Sequence, residues 1–172
     1  NTSGNFVWVK QLGGTLDDSG YSLAIDGAGN IHATGYFQGT ADFDPGAGVF
    51  NLTPAGFQDI FISKLDASGN FIWAKAIGGT GGDESHSITS DAGGNVYTTG
   101  FFQGTVDFNP GAGVFNLTSA GNYNIFISKL DTAGNFICAG SMVGTGVGVG
   151  NSIRAAGGSI YTTGYFNGTA DF

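Results

Sequence analysis

Residues 39–56 read GTADFDPGAGVFNLTPAG, and the stretch returns with three changes at residues 104–121 as GTVDFNPGAGVFNLTSAG. It begins a third time, as GTADF, at residues 168–172. The two full copies lie 65 residues apart. A fixed period of this kind is the signature of a repeat architecture, in which each repeat is one structural unit.

The same period runs through the rest of the chain. Aligned without gaps, residues 4–68 and 69–133 are identical at 39 of 65 positions. A third copy covers residues 134–172 and needs one deletion before Gly164. We therefore predict a single segment over residues 1–172, made of two full repeats and one truncated repeat.

Composition excludes several classes of partner. The chain has 172 residues, with 13 Asp and Glu against 5 Lys and Arg, and a net charge of −8. Nucleic acid is not an expected partner, because phosphate binding needs clustered Lys and Arg. We expect no membrane insertion, because no run of about 18 apolar residues occurs. The single cysteine, Cys138, excludes an internal disulfide framework.

The 33 glycines disfavour helices, because each one inside a helix costs roughly 1 kcal/mol. Short strands fit instead, separated by DGAGN, DASGN, DAGGN and DTAGN turns that supply an Asp acceptor and a Gly of positive φ. The predicted strands are 21–26, 30–37, 60–66 and 70–77 in the first repeat, 85–91, 95–102, 125–131 and 135–142 in the second, and 5–12 and 160–166 at the two ends.

These strands are apolar on both faces, as a sheet covered on both sides requires. Four antiparallel strands per 65-residue repeat predict an all-β fold of β-propeller blades, about two and a half of them. A β-sandwich or a linear β-array is the alternative. The half blades leave two interpretations open: a segment of a longer propeller chain, or copies that associate to complete a ring.

A family resemblance rests on two stretches, GGTLDDSGYSLAIDGAGNIHATGYF at residues 13–37 and DIFISKLDASGNFIWAKAIGG at residues 59–79. The chain resembles the bacterial SBBP-type β-propeller repeat family. The resemblance implies a secreted or cell-surface bacterial protein, similar to type IX secretion cargo. The repeats here are longer than the family's usual blade, because of the DFDPGAGVFNLT insert. The last repeat also lacks the acidic pair found as Asp17/Asp18 and Asp83/Glu84.

The insert holds the candidate metal ligands. Asp42 and Asp44 are two residues apart, so they share one face of an extended segment, and the second copy has Asp107 and Asn109 there. Paired oxygen ligands before a glycine turn could hold calcium. The alternative is a short hairpin that turns at Pro45 and Gly46 and covers a blade edge.

Other polar residues carry weaker signals. The pairs Asp17/Asp18 and Asp83/Glu84 could serve acid–base chemistry, or could accept hydrogen bonds from loop backbone. His32 and His86 each stand where another repeat has tyrosine, so both are predicted to be structural. Cys138 stands where two repeats have tryptophan, and we predict that it fills a core position as a small apolar residue. The aromatic rings of Tyr36 and Tyr165 could stack on sugars, but packing in the core is the favoured interpretation. We predict no catalytic or cofactor-binding residue.

The repeats have diverged unevenly. Residues 34–56 match the second copy at 19 of 23 positions, and residues 11–33 at only 8 of 23. This argues against an active site repeated at the inner loops. We expect a non-catalytic secreted or cell-surface module for binding, adhesion or extracellular assembly. Its partner would be a protein or a second copy that pairs through blade edges, or glycans. A carbohydrate-binding propeller and a propeller hydrolase or lyase are the alternatives.

Overall fold

The computed structural model describes residues 2–171 and contains strands and no helix within them. No part of that span could therefore cross a membrane as a helix. The sixteen strands are β1 (Gly13–Gly14), β2 (Asp18–Ile25), β3 (Ile31–Phe37), β4 (Ala41–Asp42), β5 (Asn51–Leu52), β6 (Asp59–Leu65), β7 (Phe71–Gly79), β8 (Glu84–Ser90), β9 (Val96–Phe102), β10 (Thr105–Asp107), β11 (Asn116–Thr118), β12 (Asn124–Leu130), β13 (Phe136–Gly144), β14 (Gly148–Ala156), β15 (Ser159–Phe166) and β16 (Ala170–Asp171).

The strands form antiparallel blades in chain order. The first blade is β2, β3, β6 and β7, the second is β8, β9, β12 and β13, and β14 and β15 begin a third. This confirms the all-β fold and the four-stranded antiparallel repeat. The eight predicted blade strands are present, with ends shifted by up to three residues.

The strand predicted at residues 5–12 is wrong. No strand precedes Gly13 in the described chain, because a strand needs a neighbouring ladder and residues 2–171 place none beside this segment. The segment nevertheless occupies a blade-like position. A Cβ on Gly69 would touch Trp8 and Lys10, just as a Cβ on Gly134 would touch Trp73 and Lys75 of β7.

The tight turns follow the predicted chemistry. In the turn after β6, Asp66 Oδ1 accepts hydrogen bonds from the backbone N–H groups of Ser68 and Asn70, at 2.8 and 2.9 Å. The Asn70 side chain donates to the second carboxylate oxygen at 2.8 Å. Gly69 has a φ of 78°, which a residue with a Cβ rarely adopts. The same pattern recurs at the turns that begin with Asp26, Asp91 and Asp131.

Each insert joins two repeats. The hairpin of β10 and β11 belongs to the second repeat, but β10 pairs with β7 of the first blade, with Val106 opposite Gly79. The strand β16 pairs with β13 in the same way, and β4 pairs with β1. Meanwhile Phe108 is buried against Phe102 and Phe126 of its own blade. The insert therefore extends the preceding sheet while it is anchored in its own.

The blades also pack face to face. β6 is buried along its whole length, as predicted for a sheet covered on both sides. The backbone N–H of Ile88 donates to the Ser22 hydroxyl of the preceding blade at 3.3 Å. One repeat later, Ile153 donates to Ser87 at 3.1 Å. This packing brings the first strands β2, β8 and β14 side by side, where the candidate site lies.

Candidate functional site

The first strand of every blade carries a β-bulge at the same position. The register slips between Gly20 and Ser22 in β2, between Ser85 and Ser87 in β8, and between Gly150 and Ser152 in β14. The extra residues are Tyr21, His86 and Asn151. A bulge leaves one residue without a partner and redirects its side chain. Three different side chains thus occupy equivalent places on neighbouring strands.

A glycine on the second strand makes room for each bulge. A Cβ at the glycine would collide with the carbonyl oxygen of the residue two before the bulged one. The pairs are Gly35 with Ser19, Gly100 with Glu84, and Gly164 with Val149. The repeated glycine in the TGYF and TGFF motifs is therefore a requirement of the bulge.

The three bulged residues line a cavity of about 560 Å³. Tyr21 comes from the first blade, and Glu84, His86, Phe101 and Tyr123 come from the second. The third repeat completes the lining with Val147, Val149, Asn151 and Tyr165. The cavity is therefore built from all three repeats, with aromatic rings as its main walls.

Glu84 is the centre of the polar network in this cavity. Gln58 Nε2 donates to Glu84 Oε1 at 2.6 Å, and His86 Nε2 lies 3.1 Å from Glu84 Oε2. The Tyr21 hydroxyl also hydrogen-bonds to this carboxylate. Gln38 Nε2 in turn donates to Gln58 Oε1 at 3.2 Å and fixes the amide. These contacts orient the carboxylate between two blades.

The network sets the protonation of its members. Burial raises the pKa of Glu84, but the hydrogen bonds from His86 and Gln58 outweigh it, so the pKa lies below its usual value. Burial, together with the charge of Glu84, raises the pKa of Tyr21 to about 12. At neutral pH the site therefore holds a carboxylate anion beside a neutral phenol.

The rings stand at angles to one another. Tyr21 meets His86 edge to face, with ring centroids 5.1 Å apart and an interplanar angle of 86°. His86 meets Phe101 at 5.6 Å and 88°. Phe101 and Tyr123 lie 4.6 Å apart at 54°. Such contacts hold ring orientation, so the walls of the cavity are preformed.

The predicted acidic pairs divide between two roles. Asp83 is buried and accepts hydrogen bonds from the backbone N–H of Gly79 and Gln103, at 2.8 and 2.9 Å. Asp18 does the same for Gly14 and Gln38. These are the loop contacts that the sequence offered as the alternative to chemistry. Only Glu84 of the four acidic residues lines the cavity.

The insert carboxylates hold their own turns. Asp42 Oδ1 accepts from the backbone N–H of Asp44 and Phe50, and Asp44 Oδ1 accepts from Gly46. In the second repeat, Asp107 and Asn109 make the same contacts. Within residues 2–171, no group of three or more His, Cys, Asp or Glu is placed to hold a metal ion. Calcium at these four residues stays a prediction.

His32 and Cys138, the remaining candidates, lie in different environments. His32 is buried, with its Nε2 3.3 Å from Asp26 Oδ2 and the Lys64 ammonium at the same distance from that oxygen. These contacts lie within the first blade, and the structural role of His32 stays a prediction. The prediction that Cys138 fills a core position is wrong, because Cys138 is exposed. The equivalent Trp73 is buried because its ring N–H reaches the Thr132 carbonyl of the next blade, and residues 2–171 place no such blade beside Cys138.

Sequence reasoning missed most of this site. It favoured core packing over sugar stacking for Tyr165, assigned His86 to structure, and considered neither Phe101 nor Tyr123. The usable signal was the divergence of residues 11–33, which we took as evidence against a repeated site. The three repeats contribute different residues to one cavity, so the sequence divergence of this region is compatible with a single shared site.

Comparisons with known proteins support the repeat fold. Residues 7–40 match the SBBP family, described as a beta-propeller repeat. The chain is 29% identical over 166 residues to the uncharacterized WD repeat-containing protein L264 of Acanthamoeba polyphaga mimivirus. The aligned region covers 90% of this chain and 12% of that protein. It is 24% identical over 135 residues to regulatory protein FlaEY of Caulobacter vibrioides, covering 78% of this chain and 14% of that protein.

The chain thus spans less than a sixth of either relative. The family match lies within the first repeat, and the blades described above have the same antiparallel organisation throughout. The chain therefore has an all-β fold of antiparallel β-propeller blades.

Proposed function

We propose that the protein is a non-catalytic binding module that holds a small organic ligand in the cavity around Glu84 and His86. One observation carries this proposal: three repeats place a phenol, an imidazole and an amide at the same bulge, as Tyr21, His86 and Asn151. An aromatic cavity with a few convergent polar groups is the usual form of a ligand site.

The protonation of the site favours binding over two-carboxylate hydrolysis. Glu84 is anionic at neutral pH and so has no proton to give as a general acid. Two-carboxylate hydrolysis needs a second acid facing the same space. The neighbouring Asp83 is buried and occupied by two backbone N–H groups instead.

A variant that restores the first repeat's residues tests the proposal. Glu84→Ser with His86→Tyr gives the second repeat the residues found at Ser19 and Tyr21. Asn109→Asp makes an equivalent exchange outside the cavity and serves as the matched control. In a ligand screen followed by ¹⁵N–¹H NMR, hits on the wild-type chain should shift the amides of residues 84, 86 and 151. The double variant should lose these shifts and the control should keep them. A screen whose hits shift only other amides, or that gives no hits, contradicts the proposal.

Carbohydrate is one ligand class that the cavity supports. The ring of Tyr165 is half exposed, and the amide of Asn151 lies beside it in the lining. An aromatic face with an adjacent amide suits a sugar, which stacks its C–H face and hydrogen-bonds through its hydroxyls. A glycan array tests this, and an array without hits contradicts it.

Assembly through blade surfaces is a second candidate function. Leu23 in β2 is 66% exposed, whereas Ile88, at the same place in β8, is 5% exposed because the first blade covers it. The outer edge of β15 also pairs with no strand among residues 2–171. An uncovered apolar face and an open edge are templates for another blade. We propose that a second copy of the chain occupies them.

Light scattering over a range of concentrations tests self-association. We expect the wild-type chain to form larger species and Leu23→Glu to shift them towards monomer. A chain that stays monomeric at high concentration contradicts self-association.

We further propose that the protein acts outside a bacterial cell or at its surface. The resemblance of residues 13–37 and 59–79 to secreted propeller repeats supports this. Fractionation of the native host with an antibody against the chain tests it, and recovery in the cytoplasm alone contradicts it.

A further inference from the structure

The cavity contains one negatively charged side chain, Glu84, and no lysine or arginine to pair with it. Within residues 2–171, His86 is the only basic side chain at ion-pair distance from that carboxylate. The Glu84 side chain is 16% exposed, so water screens its charge only in part.

The hydrogen-bonding capacity of Glu84 is nearly exhausted. An ionised carboxylate offers about four acceptor sites. Gln58, Tyr21 and His86 already direct donors at them. A further ligand therefore gains little by donating a hydrogen bond here. It gains from the charge, which acts through space without a free lone pair.

The walls favour the same kind of ligand. The faces of aromatic rings are electron-rich and attract cations that lie within about 6 Å of the ring centroid. Tyr21 comes from the first repeat, Phe101 and Tyr123 from the second, and Tyr165 from the third, so ring surfaces line the cavity from three blades. Val147 and Val149 add apolar surface for carbon-bound hydrogens.

We propose that this cavity binds a quaternary ammonium group, which carries a positive charge, exposes only C–H surface and has no N–H to donate. The inference rests on the proposed binding function and names the ligand class for that site. The group could belong to a free choline-type molecule or to a trimethylated lysine in a peptide. The chemistry recognised is the same in both.

A neutral sugar fits this charge balance less well. It presents many hydroxyl groups that need acceptors, and the principal acceptor of the cavity is already engaged by three donors. A neutral sugar also gains no charge–charge attraction from the Glu84 carboxylate. The two ligand classes therefore predict opposite outcomes when the ligand's charge is removed at constant shape.

Calorimetry with matched ligands tests the inference on the 172-residue chain. Choline and its neutral isostere 3,3-dimethyl-1-butanol differ in one atom and one charge. We expect choline to bind at least about tenfold more tightly, as expected for a cation–π and charge term of this size. Equal affinity for the two, or no binding of choline by the folded chain, overturns the inference.

Two variants locate the effect. Glu84→Gln should remove the preference for choline over its isostere, and Asp17→Asn should preserve it. Asp17 is exposed and outside the cavity, so its variant makes the same change in net charge. Tyr123→Leu should weaken both ligands, and a melting curve shows whether each variant is folded. Loss of the preference in Asp17→Asn would overturn the inference.

Further ligands distinguish the two sources of the ammonium group. They also distinguish failure of the ammonium inference from failure of the proposed binding function. Tighter binding of a trimethyllysine peptide than of choline identifies a peptide source, and the reverse identifies a free molecule; either supports the inference. Binding of methyl glucoside in place of choline, with shifts at residues 84 and 86, overturns the ammonium inference but retains the proposed binding function. Failure of every ligand in the wider NMR screen overturns both.

Discussion

Glu84 and His86 lie two residues apart on β8, and their side chains approach to 3.1 Å. Both side chains line the cavity, and His86 is the extra residue of the β-bulge in β8. The first repeat has Ser19 and Tyr21 at these places and the third has Val149 and Asn151, so the pair of carboxylate and imidazole occurs in the second repeat alone.

The charge of Glu84 should be visible in the titration of Tyr21. Burial is the larger cause of the raised Tyr21 pKa of about 12, and the carboxylate adds to it. Glu84→Gln should therefore lower the Tyr21 pKa while leaving it above 10. NMR of ¹³C-labelled tyrosine measures this against Asp17→Asn as the control. An unchanged Tyr21 pKa in Glu84→Gln would contradict the contact.

The bulge glycines should be intolerant of any side chain. A Cβ on Gly100 would collide with the Glu84 carbonyl oxygen, so Gly100→Ala must shift backbone or abolish the bulge. We expect a loss of about 1–3 kcal/mol in the free energy of unfolding, as for other overpacked sites. Gly20→Ala is the matched control, since a Cβ there meets nothing within 4 Å. Urea unfolding of both variants measures the difference, and equal stabilities would show that the bulge does not need its glycine.

The fold was predictable from sequence and the site was not, for physical reasons. The 65-residue period and the strands with apolar residues on both faces predict blades, because both features can be seen directly in the sequence. The cavity depends on a one-residue slip at Tyr21, His86 and Asn151, and composition does not mark a slip. It also depends on contacts between repeats, such as Tyr21 with His86, 65 positions apart. The pairing of an insert with the preceding blade is also a contact between repeats, so the sequence pattern did not predict it.

Stability should depend on pH through Asp83. Burial raises its pKa to about 6, against the opposing backbone hydrogen bonds from Gln103 and Gly79. The folded state then binds more protons than the unfolded state between about pH 4 and pH 6, so stability falls as the pH rises through that window. The loss should be about 2–3 kcal/mol in total.

The lowered pKa values of the turn carboxylates act in the opposite direction. Hydrogen bonds from Asn70 and Asn135 lower the pKa of Asp66 and of Asp131, so their contribution is lost as the pH falls below about 4. The melting temperature should therefore peak in mildly acidic solution. Melting curves from pH 3 to pH 8 measure this, and a maximum at or above pH 7 would contradict it.

A pair of mirror variants tests the buried carboxyl at Asp59. Asn124 holds the equivalent place and donates to the Gly144 carbonyl at 3.1 Å, whereas Asp59 Oδ1 is buried with no hydrogen-bond partner. Burial raises the pKa of Asp59, despite backbone N–H donors at Ala55 and Gly56. Asp59→Asn should supply the missing donor and stabilise the chain at pH 7 by about 1–2 kcal/mol.

Asn124→Asp should do the reverse. It removes the donor to Gly144 and buries a carboxyl, so it should destabilise the chain at pH 7 and recover part of the loss at pH 4. Chemical unfolding of both variants at the two pH values gives the four numbers needed. If both variants destabilise the chain to the same extent at both pH values, the assignment of a donor position is wrong.

The insert turns should be stable without calcium. Asp107 Oδ1 accepts from the backbone N–H of Asn109 and Phe115, at 2.9 and 2.8 Å, and these bonds close the turn by themselves. Asp107→Ala should cost about 1 kcal/mol of stability, and the cost should be the same in calcium and in a chelator. Asn109→Asp, which copies Asp44 of the first repeat, should leave the melting temperature nearly unchanged. If calcium raises the melting temperature of the wild-type chain and Asp107→Ala removes that rise, the paired oxygens at Asp42, Asp44, Asp107 and Asn109 bind the ion, and the turn is a metal site.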